Sequence, residues 1–188
     1  GMTNKTRSER ETPAAEVALP QQAVLMAGGR GTRLGALART TPKPLLPVQG
    51  VPVIERLIAR LHDAGVVTCT VVTCHLADVI EGLLGDGRHL GVRIDYLREP
   101  FPLGTAGCLG LLAKPARSFY LVNADLVTDL CFATLARAHA AGNATATIAV
   151  RRHATPVEYG LVEFDADGRL TRYREKPVHE GFIGMGMY

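Results

Sequence analysis

No stretch of this sequence is apolar for long enough to cross a bilayer. Runs such as Ala23–Ala27 fall far short of the roughly 18 residues a span needs. There is no long block of like charge either. Lys and Arg number 21 against 18 Asp and Glu, a formal net charge of +3, so neither a nucleic-acid stripe nor a polybasic membrane patch is indicated. The four cysteines, Cys69, Cys74, Cys108 and Cys131, contain no C-x-x-C pair and no His at zinc-finger spacing. They read as free thiols in a reducing cytoplasm. The first twenty residues lack the apolar core of a secretory signal and carry mixed charge with Pro13 and Pro20, so residues 1–20 are expected to be a flexible tail. No internal repeat or low-complexity segment is present.

What is there suits one globular domain over residues 21–188. Hydrophobic residues make up 47% and charged residues 21% of 188, far from the composition of a disordered chain. An apolar run from Gln22 to Ala27 stops at Gly28-Gly29, which predicts a buried strand feeding a glycine-rich loop. Val53, Leu57, Ile58 and Leu61 repeat at helical spacing after Pro52, with Gly65 as the stop. Strands are then expected at 66–72, 92–97, 118–123 and 144–152, and helices at 76–84, 105–113 and 130–141. That alternation argues for a largely parallel sheet with helices on both faces. Beyond Glu158, two short strands around Asp165-Ala166-Asp167-Gly168 read as a β-hairpin with an Asp-Gly turn. The two aspartates are turn residues on this reading, since a calcium loop needs further ligands that are not found.

Residues 25 to 35 read Leu-Met-Ala-Gly-Gly-Arg-Gly-Thr-Arg-Leu-Gly. Closely spaced glycines let successive N–H groups converge on an anion, and Arg30 and Arg33 add charge, so the loop has the chemistry of a phosphate cradle. A Walker loop is excluded because no Gly-Lys follows at the required distance. A dinucleotide fingerprint is excluded because Leu34 stands where glycine is needed and Gln49 where an acid is expected.

The remaining pattern is Gly-Gly-x-Gly-Thr-Arg, followed by Thr41-Pro42-Lys43-Pro44-Leu45-Leu46-Pro47-Val48. From Leu25 to Val48 this closely resembles the signature of the sugar-1-phosphate nucleotidylyltransferases. Glu99-Pro100-Phe101-Pro102-Leu103-Gly104-Thr105-Ala106-Gly107, Asn123-Ala124-Asp125, Tyr159-Gly160 and Glu175-Lys176-Pro177 extend it in order. The resemblance implies a Rossmann-like, mixed but mainly parallel sheet whose C-terminal hairpin forms the sugar side. It implies an enzyme that takes a nucleoside triphosphate and a sugar 1-phosphate and releases pyrophosphate.

Arg33, Lys43 and Asp125 are then the expected catalytic residues, with Asp125 as the ligand of Mg²⁺. Leu25, Ala27, Gly28, Gly29, Gly31, Thr32, Arg33, Glu99, Gly104 and Thr105 are expected on the nucleotide, and Asn123, Gly160, Glu175 and Lys176 on the sugar phosphate. One carboxylate with phosphate oxygens is a reasonable set for Mg²⁺. Asp125 could instead cap a helix, as could Asp129.

Glu99 offers a clue to the base. A carboxylate can accept both N1–H and N2–H of guanine but meets a carbonyl on uracil or thymine, which favours GTP; a turn role before Pro100 stays open. The Pro102 to Gly107 segment resembles the guanylyltransferase branch for mannose, heptose or related sugars. Ala124 stands where the family usually has Gly. Relatives continue beyond the segment like Met185–Tyr188, where a second magnesium-binding Asp lies, so the catalytic domain is expected to be truncated at its C-terminus. Three rivals remain: a molybdenum-cofactor guanylyltransferase, a glycosyltransferase of similar fold, which the Leu126-Val127 after Asp125 disfavours, and a non-catalytic sugar-nucleotide-binding module. A homo-oligomer is admitted.

Overall fold

The computed structural model describes residues 18–29 and 41–188. Of the tail expected over 1–20, residues 1–17 lie outside the described residues, as do the loop residues Arg30, Gly31, Thr32 and Arg33, while Leu19 packs against the core. Along the chain, β1 (Gln22–Met26) is followed by a 3-10 turn at Lys43–Leu45 and the short pair β2 (Pro47–Val48) and β3 (Val51–Pro52). Then come α1 (Val53–Asp63), β4 (Thr68–Thr73), α2 (Ala77–Leu84), β5 (Arg93–Arg98), β6 (Tyr120–Asn123) and α3 (Phe132–Gly142). The last part comprises β7 (Val150–Pro156), β8 (Leu161–Phe164), β9 (Leu170–Arg174) and β10 (Val178–Gly184).

β5, β4, β1 and β6 lie side by side in that order, and every pairing among them is parallel. Side chains alternate across a strand, and the sequence uses this to serve two cores. Ala23, Leu25, Cys69, Val71, Tyr120 and Val122 meet Ile54, Leu57, Ile58 and Leu61 of α1, Ile80 and Leu84 of α2, and Phe132, Leu135 and Ala136 of α3. Val24, Val72 and Leu121 face the other way onto Cys108, with Leu109 and Leu112 beside it. The chain runs from β1 outward through β4 to β5, then returns to place β6 on the opposite side of β1. The switch in strand order between β1 and β6 opens a crevice at the carboxyl ends of the strands, the place where ligands sit in such sheets.

The outer edge of β6 is covered by the last residues. Leu121 and Tyr188 exchange N–H···O bonds of 3.0 and 2.9 Å, and the Asn123 N–H donates to the Gly186 carbonyl at 2.9 Å. This antiparallel pairing, centred on Val122 and Met187, makes the sheet mixed. On the far side of the same segment, Ala149 bonds to Met185 and Met187, and β7 then pairs with β10.

Three local expectations are corrected. The helix expected over 105–113 is a 3-10 helix at Gly107–Leu111; Gly107 and Gly110 inside it lower its α-helical stability, and Gly104 just before it has φ +80°. The strand expected over 144–152 begins at Val150 and runs to Pro156, because its register is set by pairing with β10. β10 itself was not anticipated, since Gly181 and Gly184 interrupt any alternation. The Asp-Gly turn between β8 and β9 is as expected: Asp165 Oδ1 accepts from the N–H groups of Asp167 and Arg169 at 3.0 and 2.8 Å, and Gly168 has φ +78°.

Burial between sheet and helices pushes the Cys69 thiol from its ordinary 9.0 up to about 12. Tyr96 and Tyr120 are pushed, chiefly by burial, from 10.0 to about 12. Each group holds its proton in the folded chain and releases it more readily when unfolded, so its contribution is intact below the unfolded pKa and lost as pH climbs toward the folded one. The urea midpoint is therefore expected to fall progressively between pH 9 and 12. Cys69→Ala should lessen the fall at the lower end of that range; a midpoint that stays flat would contradict it.

Candidate functional site

Three strand ends are brought into one row by register. Met26 is opposite Val72 on β4 and Asn123 on β6, and all three line a cavity of about 550 Å³ at the carboxyl edge of the sheet. The backbone continues the row: the Ala27 N–H donates to Val72 O at 2.8 Å, Ala124 N–H to Met26 O at 3.1 Å, and Glu99 N–H to Thr73 O at 2.8 Å. Ala27, Gly28 and Gly29 thus leave the sheet along one wall, with Glu99 arriving beside them from β5.

Gly28 packs closely there because it has no side chain. A methyl at this position would lie 3.1 Å from Glu99 Oε2 and 3.3 Å from Cys74 Cβ, tighter than the contact either neighbour accepts without moving. The Glu99 carboxylate therefore lies against the glycine loop. On its other side is Cys108, whose thiol points to the Thr105 carbonyl at 3.9 Å and is pushed up first by burial and then by the Glu99 charge.

The opposite wall carries an ion pair. Lys43 leaves the 3-10 turn that follows Pro42, anchored by the buried Pro44, and its ammonium donates to Asp125 Oδ2. Both groups are partly open to solvent, with side-chain exposures of 47% and 32%. Asp125 lies just past β6, at the switch point of the sheet. It caps no helix, because α3 begins only at Phe132. The segment between is held by Arg60 of α1, whose guanidinium donates to the Thr128 carbonyl and, at 2.9 Å, to that of Leu130.

Of the residues singled out from the sequence, Ala27, Gly28, Gly29, Lys43, Glu99, Gly104, Thr105, Asn123 and Asp125 line this one cavity. Leu25 does not; it is fully buried in the core beneath it. Gly160, Glu175 and Lys176 lie at the ends of the β8–β9 hairpin and are not among the lining residues. The space beside Gly160 is filled by the Tyr173 ring, and the Tyr173 hydroxyl donates to Glu175 Oε2 at 2.5 Å. Met26, Pro44, Val72, Pro102 and Cys108 also line the cavity, though the sequence assigned none of them a role. For Met26 and Val72, position as the last apolar residues of β1 and β4 is the only signal the sequence carries.

No group of three or more His, Cys, Asp or Glu side chains able to hold a metal occurs among the described residues. The donor set suits a hard cation that keeps most of its shell from phosphate and water, since Asp125 offers one carboxylate beside open space. A cation on Oδ2 would share that oxygen with, or take it from, Lys43.

Fold and site together define an α/β protein in which Gly28, Gly29 and the Asp125 carboxylate line one cavity at the switch point of a parallel sheet. The chain belongs to the nucleotidyl transferase family, whose sequence model matches residues 22–188. It is 34% identical over 156 residues to a mannose-1-phosphate guanylyltransferase of Mycobacterium tuberculosis, covering 82% of this chain and 44% of that protein. It is 36% identical over 167 residues to a mannose-1-phosphate guanyltransferase of Yarrowia lipolytica, covering 86% and 46%. The chain thus spans about half the length of these relatives. Among solved structures, HddC from Yersinia pseudotuberculosis matches with a TM-score of 0.65 at 26% identity, covering 89% of this chain and 75% of that one. No helix among the described residues is long and apolar enough to cross a membrane.

Proposed function

We propose that this chain carries the nucleotidyl-transfer site of a sugar-1-phosphate nucleotidylyltransferase, using a nucleoside triphosphate, with GTP favoured. An oxygen of the sugar phosphate forms a bond to the α-phosphorus. The bond from that phosphorus to the bridging oxygen breaks, and pyrophosphate leaves with the electron pair. Such chemistry asks for positioning and charge rather than covalent help. The observation that carries the reading is the single cavity lined by Gly28, Gly29, Glu99, Lys43 and Asp125.

In this reading the amides of the glycine loop take phosphate oxygens, and Lys43 turns from Asp125 to the reacting phosphates when they arrive. Arg33, outside the described residues, neutralises the leaving pyrophosphate. Gly31 and Thr32 belong with it on the triphosphate, and Gly160, Glu175 and Lys176 remain assigned to the sugar phosphate. Mg²⁺ on Asp125 would supply charge neutralisation for the phosphates. Asn123 lies beside Asp125 for the sugar phosphate. The free thiols support a reducing, cytoplasmic setting.

GTP is favoured because Glu99 reaches the cavity next to the loop, where a carboxylate pairs with a guanine edge and opposes a uracil carbonyl. The similarity to mannose-1-phosphate guanylyltransferases supports the same base and suggests mannose 1-phosphate as the sugar. The test is pyrophosphate release for each common nucleoside triphosphate against a panel of sugar 1-phosphates. GTP with mannose 1-phosphate should lead, and Glu99→Ala should lower the preference for GTP over UTP by about tenfold or more. Release from no pair would sink the transfer reading, and a GTP preference untouched by Glu99→Ala would sink the role of Glu99.

A further inference from the structure

We propose that Arg60 is a positioning residue for Asp125, acting through the backbone that follows it; the proposal rests on the nucleotidyl-transfer reading. The segment from Asp125 to Cys131 contains neither helix nor strand. Its own bonds are few: Leu126 N–H to Asn123 O at 3.1 Å, and Leu130 N–H to Thr128 Oγ1 at 3.1 Å. Leu126 at its start packs against the core, but further along the apolar side chains do not anchor it, since Val127 is 65% and Leu130 39% exposed. Beyond Leu126 and the Asp125–Lys43 pair, the hydrogen bonds that tie residues 128–130 to another element come from the Arg60 fork, which spans the carbonyls of Thr128 and Leu130. A guanidinium suits this task because its planar donors keep a fixed spacing, so two carbonyls held by one fork are held relative to each other.

The helix carrying Arg60 also holds the Lys43 side of the pair. At its start, the Val53 N–H donates to Leu46 O at 3.1 Å, just after the Lys43 turn. One turn before Arg60, the Arg56 Nε donates to Val48 O at 2.9 Å. α1 therefore sets how far the Lys43 turn stands from the Asp125 segment, and Arg60 is its grip on the latter.

The test compares the whole chain with Arg60→Ala and Arg60→Lys by steady-state kinetics and by hydrogen exchange. For Arg60→Ala, kcat should fall roughly ten- to a hundredfold, the scale on which misplacing a reacting group matters. KM for the triphosphate should stay within about twofold, because the glycine loop and Glu99 hold it from the opposite wall. Peptides covering 124–131 should exchange faster while those of β1 and β4 do not change. Wild-type kcat in a folded Arg60→Ala protein, a raised KM with kcat unchanged, or unaltered exchange in 124–131 would overturn the proposal. If Arg60→Ala does not fold, Arg60→Lys carries the same readouts: a lowered kcat with faster exchange upholds it, and wild-type values overturn it. If the wild-type chain releases no pyrophosphate from any pair, the transfer reading fails, and the exchange comparison alone decides whether Arg60 holds the segment.

Discussion

Replacing Asp125 by Ala is expected to lower kcat by roughly 10²- to 10³-fold, the range seen when a charged group serving a phosphoryl-type transition state is removed. Of the described residues that line the cavity only Glu99 and Asp125 are carboxylates, and Glu99 lies against the glycine loop, on the other wall. Asp125 alone pairs with Lys43. Asp125→Asn keeps the shape and removes the charge, so it should also weaken the dependence of pyrophosphate release on Mg²⁺. A metal titration indistinguishable from wild type would remove Asp125 as the ligand. Its side chain is 32% exposed, and thermal melting should change little, which separates this loss from misfolding.

Lys43→Ala should lower kcat by roughly 10²-fold. Lys43 is the one cation among the described lining residues. Its ammonium is a compact charge on a flexible stem and can leave Asp125 for a phosphate, whereas the planar, forked guanidinium of Lys43→Arg has a different reach and should recover only part of the rate. Because Lys43 and Asp125 act as a pair, the double variant should be little slower than the slower single one. Additive losses would show instead that the two residues work independently, and an unchanged Lys43→Ala rate would remove Lys43 from the reaction.

Much of this arrangement was legible in the residues. α1, α2 and α3 announce themselves because each buries one face against the sheet, which imposes a period of 3.6, whereas β1, β4 and β6 are buried on both faces and read as short apolar runs. The cavity was legible where it is built from residues of special chemistry at strand ends, as at Gly28, Glu99 and Asp125. It was not legible at Cys108, an ordinary residue made into lining by the 3-10 helix, an element whose glycines read ambiguously. Arg60 escaped notice for a different reason: an Arg at one helix position looks like any solvated charge, and its two acceptors are main-chain carbonyls far along the chain. Nor does spacing reveal that Gly160, Glu175 and Lys176 stand apart from the cavity, since that depends on how the β8–β9 hairpin sits.

The antiparallel segment Met185–Tyr188 covers the free edge of β6 and, through Gly186, abuts the Asn123 side chain. During synthesis, β6 leaves the ribosome well before this cover exists. Until then the nascent chain exposes an unpaired strand edge of the kind that recruits neighbouring molecules. Release of polypeptides stopped after β9 should therefore yield sticky, chaperone-dependent products.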